Sequence, residues 1–178
     1  MRVVAGKYKG FQLDGPKGNT TRPTDNKIKE AIFDMLYPIN PNSVALDLFS
    51  GSGQMGIEFL SRDLSFVYFN EADRKIAKTL EANLIKLDTD NYDISIADFK
   101  VALMTYSAKE IKFDYIFLDP PYDTDYLASA IDIIINNELL NEDGIVITES
   151  DRDLKFDDDL YLIKEKTYGR KFVNIYIK

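Results

Sequence analysis

The chain has no cysteine, no histidine and no tryptophan. Without cysteine there is no disulfide and no thiolate nucleophile. Without histidine there is no imidazole-based triad, and without either there is no Cys/His zinc site. Nor does any stretch approach the roughly 20 consecutive apolar residues of a membrane-spanning helix, and nothing resembles a secretory signal, so the chain is expected in the cytoplasm. Its chemistry must therefore run on carboxylates, amides, hydroxyls, lysines, backbone dipoles or a cofactor. What is present is ordinary for a folded domain: 178 residues, 45% of them hydrophobic. A chain of that length builds a core without a staple.

Charge is scarce in one sign but unevenly so. The formal net charge is −8, which taken alone argues against nucleic acid. Residues 1–29 nevertheless carry seven basic side chains against two acidic ones, and residues 164–178 carry five against one. Two basic ends flank an acidic body. Either the ends are ordinary solvated termini, or they meet in space and form a footprint for a polyanion.

Residues 2–13 alternate loosely, with Gly6 and Gly10 as punctuation, and predict a short hairpin. Gly15-Pro16-Lys17-Gly18-Asn19 reads as a link. A helix is expected from Arg22-Pro23-Thr24, with Thr24 as N-cap, to Leu36 before Tyr37-Pro38. Strand and helix then alternate. Strands are predicted at 44–49, 65–70, 93–97, 113–118 and 144–148, with helices between them at about 51–60, 73–87, 99–106 and 126–137. Residues 160–163 and 172–177, joined at Tyr168-Gly169, read as an antiparallel hairpin, and Asp157-Asp158-Asp159 as a solvated loop. The pattern is that of an α/β fold with a mostly parallel sheet covered on both faces.

Asp47-Leu48-Phe49-Ser50-Gly51-Ser52-Gly53-Gln54-Met55-Gly56 places a G-x-G-x-x-G turn between a strand and a helix. Glycines let the backbone turn tightly and approach a ligand at a helix N-terminus, although a merely structural turn would look the same. Glu71, at the end of the second strand and 20 residues past Gly51, sits where a ribose-binding carboxylate belongs. NAD and S-adenosylmethionine both fit that pair. Asp47 tilts the choice, because a carboxylate near the turn repels a pyrophosphate and attracts an ammonium or sulfonium. Asp98, after the third strand, is placed to accept from an adenine amino group, and Phe49 or Phe99 to pack on the cofactor unless they serve the core.

Asp119-Pro120-Pro121-Tyr122 follows the fourth strand directly. Two prolines hold the backbone extended and remove two N–H donors. Asp119 and the carbonyl of Pro120 can accept both hydrogens of an exocyclic amino group, which turns its lone pair toward an electrophile. Tyr122 offers a flat face to a base drawn out of its stack. Positioning and electrostatics then supply the rate, with no strong general base.

With these motifs the sequence resembles the amino-methyltransferases that use S-adenosylmethionine. With Arg2-Val3-Val4-Ala5-Gly6, Arg22-Pro23-Thr24 and Lys27-Ile28-Lys29-Glu30-Ala31-Ile32-Phe33 it resembles the RsmD-type bacterial 16S rRNA (guanine(966)-N(2))-methyltransferases along essentially its whole length. The resemblance implies a Rossmann-like, seven-stranded sheet, mostly parallel with an antiparallel C-terminal hairpin strand. It implies a hairpin extension at 1–20 that contacts RNA, and a methyltransferase domain at 21–178. It puts Asp47, Phe49, Ser50, Gly51, Ser52, Gly53, Glu71, Asp98 and Phe99 around S-adenosylmethionine, and Asp119, Pro120, Pro121 and Tyr122 on the target guanine. Arg2, Lys7, Lys9, Arg22, Lys27, Lys29, Arg170 and Lys171 would face 16S rRNA, within a partly assembled small ribosomal subunit, and the enzyme would be a monomer without a metal. The residues leave alternatives: an adenine-N6 methyltransferase on DNA or RNA, a NAD-dependent oxidoreductase, or a non-catalytic RNA-binding module.

Overall fold

A computed structural model describes residues 1–15, 26–122, 124–156 and 160–178. The predicted link at 16–19, the Arg22-Pro23-Thr24 helix start with its RNA-facing Arg22, and the acidic run 157–159 lie outside the described residues.

The elements are α1 (Asn26–Leu36), β1 (Val44–Asp47), α2 (Gln54–Ser61), β2 (Phe66–Asn70), α3 (Arg74–Lys86), β3 (Tyr92–Ser95), α4 (Phe99–Ala108), β4 (Phe113–Leu118), α5 (Tyr126–Asn136), β5 (Leu140–Ser150), β6 (Tyr161–Tyr168) and β7 (Lys171–Ile177). They build one seven-stranded sheet in the order β3-β2-β1-β4-β5-β7-β6. The first five strands run parallel, while β7 is antiparallel to both β5 and β6. The strand–helix alternation of the sequence is thus the fold's alternation. Among the described residues no helix is long and apolar enough to cross a membrane.

Strand side chains alternate between two cores, as the pleat requires. Ala45, Val67, Phe69, Tyr115, Phe117, Ile147 and Val173 pack with Ile32 and Phe33 of α1, Ile57 and Phe59 of α2, and Leu80 and Leu84 of α3. Leu46, Ile116, Leu118, Val146 and Tyr176 pack on the other face with Leu103 of α4 and Ile131 of α5. Each large apolar side chain so buried contributes about 1.5–3 kcal/mol before the entropy of ordering is subtracted.

β5 is longer than its apolar run predicts. Polar Asn141, Glu142 and Asp143 join it through a register shift against β4, and its far end continues to Ser150 because β7 pairs with it there, Glu149 opposite Val173. Propensity cannot see that extension, since a neighbouring strand supplies the hydrogen bonds.

The N-terminal hairpin is reduced to one bridge, Arg2 to Gln12, supported by Val3 N–H to Phe11 O at 3.0 Å and Leu13 N–H to Met1 O at 2.8 Å. It lies flat on α2. Gly6 has φ +80°, and a Cβ there would sit 1.8 Å from the carbonyl oxygen of Ser61, which accepts from Lys7 N–H at 2.7 Å. Val3 and Leu13 enter the same core as Val173, and Lys164 of β6 donates to the Met35 carbonyl near the end of α1.

Candidate active site

The chain leaves β1 for β2 and β3 on one side and returns to β4 on the other, so the β1/β4 boundary is the switch point where open α/β sheets bind ligands. Asp47 ends β1 in register with Phe117, and Asp119 follows two residues beyond Phe117. The two carboxylates therefore stand on adjacent strands at the C-terminal edge.

The glycine turn fills this boundary. Gly51 and Gly53 have φ of +55° and +88°, left-handed values that favour glycine. A Cβ on Gly56 would lie 2.1 Å from the Phe69 ring, so its absence lets α2 press on β2. Over Gly51 nothing lies within 4 Å of where a Cβ would be. Ser50 braces the turn rather than facing out: its hydroxyl donates to the Asp47 carbonyl at 2.6 Å and accepts from Asn70 N–H at 3.0 Å. Ser52 is also buried, and its carbonyl accepts from the Asn83 amide at 3.0 Å.

Asp47 is fully buried, and its Oδ2 accepts from Gly56 N–H at 2.8 Å. Its Oδ1 is buried without a partner. Burial, with the charge of Glu71 adding to it against the Gly56 hydrogen bond, pushes its pKa up to about 7. Glu71 accepts from Gly51 N–H at 2.9 Å and Asp73 N–H at 2.8 Å, and burial raises its pKa too. Asp98 is exposed and caps α4 by accepting from Lys100 N–H at 2.9 Å. Phe49 is half-buried, 5.4 Å from Phe99 and stacked on Tyr126 at 6.5 Å. Phe99 is only 3% exposed, so its ring backs Phe49 from the core.

Asp119 is half-buried, and burial holds its pKa well above the usual carboxylate range; Glu149 adds to the rise and Lys171 opposes it. Tyr122 is 40% exposed. Pro120, Pro121 and Tyr122 share a cleft with Glu149 of β5. Glu149 is fully buried, paired through Oε1 with the Lys171 ammonium, while its Oε2 has no hydrogen-bond partner.

One predicted RNA contact is corrected. Lys29 is 0% exposed: its ammonium pairs with Glu58 at 3.0 Å and donates to the Arg2 carbonyl at 2.7 Å. A basic residue on the inward face of α1 cannot meet a phosphate. Lys171, another of the predicted RNA contacts, joins the Asp119–Glu149 cluster, its ammonium paired with Glu149 and beside Tyr122. Arg2, Lys9, Lys27 and Arg170 are exposed, as is Lys7, which pairs with Asp63 at 3.3 Å.

Sequence reasoning missed Glu149. The rule that picked out Asp47, Glu71, Asp98 and Asp119, an acid closing a parallel strand, would have found it had the fifth strand been carried past Thr148.

The arrangement suits S-adenosylmethionine. A carboxylate-rich edge with an orphaned Asp47 oxygen could receive an ammonium or sulfonium, and Glu71 at the end of β2 could accept from ribose hydroxyls. A pyrophosphate would face the same carboxylates at a cost.

Comparison with known proteins agrees. A family model described as "Conserved hypothetical protein 95" matches residues 1–177. The chain is 38% identical over 182 residues to "Putative rRNA methyltransferase YlbH" of Bacillus subtilis, covering 100% of this chain and 99% of that one. It is 32% identical over 173 residues to "Ribosomal RNA small subunit methyltransferase D" of Haemophilus influenzae, covering 95% and 89%. Among solved structures, "Putative methyltransferase yhhF from Escherichia coli" superposes with a TM-score of 0.88 at 27% identity, covering 100% of this chain and 97% of that one. The glycine turn, the strand-end acids and these relatives together place the chain in the RsmD-type family of ribosomal RNA methyltransferases.

Proposed function

We propose that this protein methylates the exocyclic N2 of a guanine in 16S rRNA, guanine 966, with S-adenosylmethionine as the methyl donor. The observation that carries the reading is the half-buried Asp119 at the switch point, followed by two prolines and a half-exposed tyrosine ring.

S-adenosylmethionine supplies an electrophilic methyl group on a sulfonium. Asp47 and the backbone of Ser50–Gly53 hold its methionine end, Glu71 its ribose, and Asp98 and Phe49 its adenine, with Phe99 behind. Asp119 and the Pro120 carbonyl accept the two N2 hydrogens of the guanine and so localise the nitrogen lone pair. Pro121 keeps that carbonyl rigid, and the Tyr122 ring supports the flipped base. A nitrogen being methylated becomes acidic, and Asp119 takes its proton. A carboxylate whose pKa is raised by burial is well matched to that task.

Residues 1–20 form the RNA-contacting extension of a methyltransferase domain at 21–178, with Arg2, Lys7, Lys9, Arg22, Lys27 and Arg170 on the rRNA side. The substrate is a partly assembled small subunit, the enzyme a cytoplasmic monomer. Incubation with labelled S-adenosylmethionine and small subunits lacking the mark should yield N2-methylguanosine on digestion of the rRNA. Label appearing in N6-methyladenosine, or none at all, would reject the reading.

A further inference from the structure

Holding N2 does not by itself select guanine. The sheet supplies a row of polar groups of which the proposed mechanism uses only the first, Asp119. Asp119 follows Phe117 of β4 by two residues; Phe117 is in register with Ile147 of β5, and Glu149 lies two residues past Ile147, in register with Val173 of β7. Lys171 lies two residues from Val173. Because side chains two apart share a face, Asp119 just past β4, Glu149 of β5 and Lys171 of β7 stand side by side on one face of the sheet. Glu149 also lines the cleft of Pro120, Pro121 and Tyr122, and its Oε2 is buried with no donor.

From this geometry, and resting on the proposed guanine substrate, we infer that Glu149 and Lys171 read the Watson–Crick edge of the target base. Glu149 Oε2 accepts from N1–H, and Lys171 donates to O6. The row presents acceptor, acceptor, donor. Guanine presents the complement in the same order: the N2 amino group, N1–H, then O6. Adenine offers an acceptor at N1 and a donor at its exocyclic nitrogen, so it leaves Glu149 unpaired and sets an amino group against the ammonium. An unpaired buried polar group is what lets a site reject a near-isostere strongly. Lys171 can serve both partners, since an ammonium has three donors and Glu149 Oε1 occupies one.

The test uses small-subunit particles carrying either guanine or 2,6-diaminopurine at the methylated position. Diaminopurine keeps the N2 amino group but has an acceptor at N1 and an amino group in place of O6. Methylated bases are quantified by mass spectrometry, and cofactor binding is checked with S-adenosylhomocysteine. The wild-type enzyme should prefer guanine by about a hundredfold or more in kcat/KM. Glu149→Gln, whose amide can donate to N1, should narrow that preference at least about tenfold, slower on guanine and faster on diaminopurine. Lys171→Met should raise KM for guanine more than for diaminopurine. If Glu149→Gln slows both bases equally while still binding S-adenosylhomocysteine, Glu149 is structural and the inference is overturned. If the wild-type enzyme methylates no guanine at all, the proposed substrate itself fails, a separate outcome that also overturns the inference.

Discussion

Two buried lysine–glutamate pairs occupy opposite ends of the molecule's logic. Lys29 and Glu58 are both 0% exposed, yet every charge is answered: Glu58 accepts from Lys29, from Arg62 and from Val4 N–H at 2.7 Å, and Lys29 also donates to Arg2 O. Arg62 in turn lies 3.8 Å over the Phe33 ring. This pair clamps the N-terminal segment onto α1 and α2. Lys171 and Glu149 differ in two ways. The lysine side chain is 19% exposed, and one glutamate oxygen is left without a donor beside a second carboxylate, Asp119. A saturated ionic network fixes a fold. An unsaturated one, held at a cleft, is set up for something that arrives.

That contrast can be broken most directly through stability. Glu58→Gln should cost about 3–5 kcal/mol in urea unfolding, because it leaves two cations, one wholly buried, without their counter-charge. Glu149→Gln should stay within about 1 kcal/mol, since Lys171 keeps access to solvent and a repulsion with Asp119 disappears. Equal losses would erase the distinction.

The next effect is on activity. Asp119→Ala should lower methyl transfer about a thousandfold while S-adenosylhomocysteine binding persists, and stability should hold or rise slightly. Unchanged transfer would remove Asp119 from its role, and lost binding would move it to the cofactor's side of the site.

The last effect is a pH dependence. Asp47 titrates near 7 in the folded protein because it is buried. A carboxyl with a raised folded pKa binds more protons folded than unfolded, so its contribution to stability falls as pH rises from about 4 through about 7. Relative to Asp47→Asn, the wild-type protein should therefore lose stability between about pH 4 and pH 7. Glu71 and Asp119 are shifted in the same direction and feel the Asp47 charge, so the difference between the two curves reports Asp47 together with its coupling to them. Parallel curves would mean that Asp47 is ionised at lower pH.

Much of the fold could be read from residue order. The alternation of apolar runs and amphipathic stretches placed most strands and helices to within a few residues, though β5 and β6 run four to five residues further, and glycines at 51, 53 and 56 announced the turn that the positive φ values and the Phe69 contact require. Strand-end acids were legible because each parallel strand delivers its last residue to the same edge. The lysines were not. Lys29 sits among Lys27, Ile28 and Glu30 with nothing local to mark it as buried, and Lys171 follows Arg170 like one more terminal cation.

By itself the sequence determined which chemistries were open: no thiol, no imidazole, a glycine turn, and a carboxylate before two prolines. These are local properties, set by covalent identity and near-neighbour spacing. Only the tertiary structure decided which charges are spent on folding and which face the cleft. That depends on register between strands far apart in the chain, and on burial, which no local window contains.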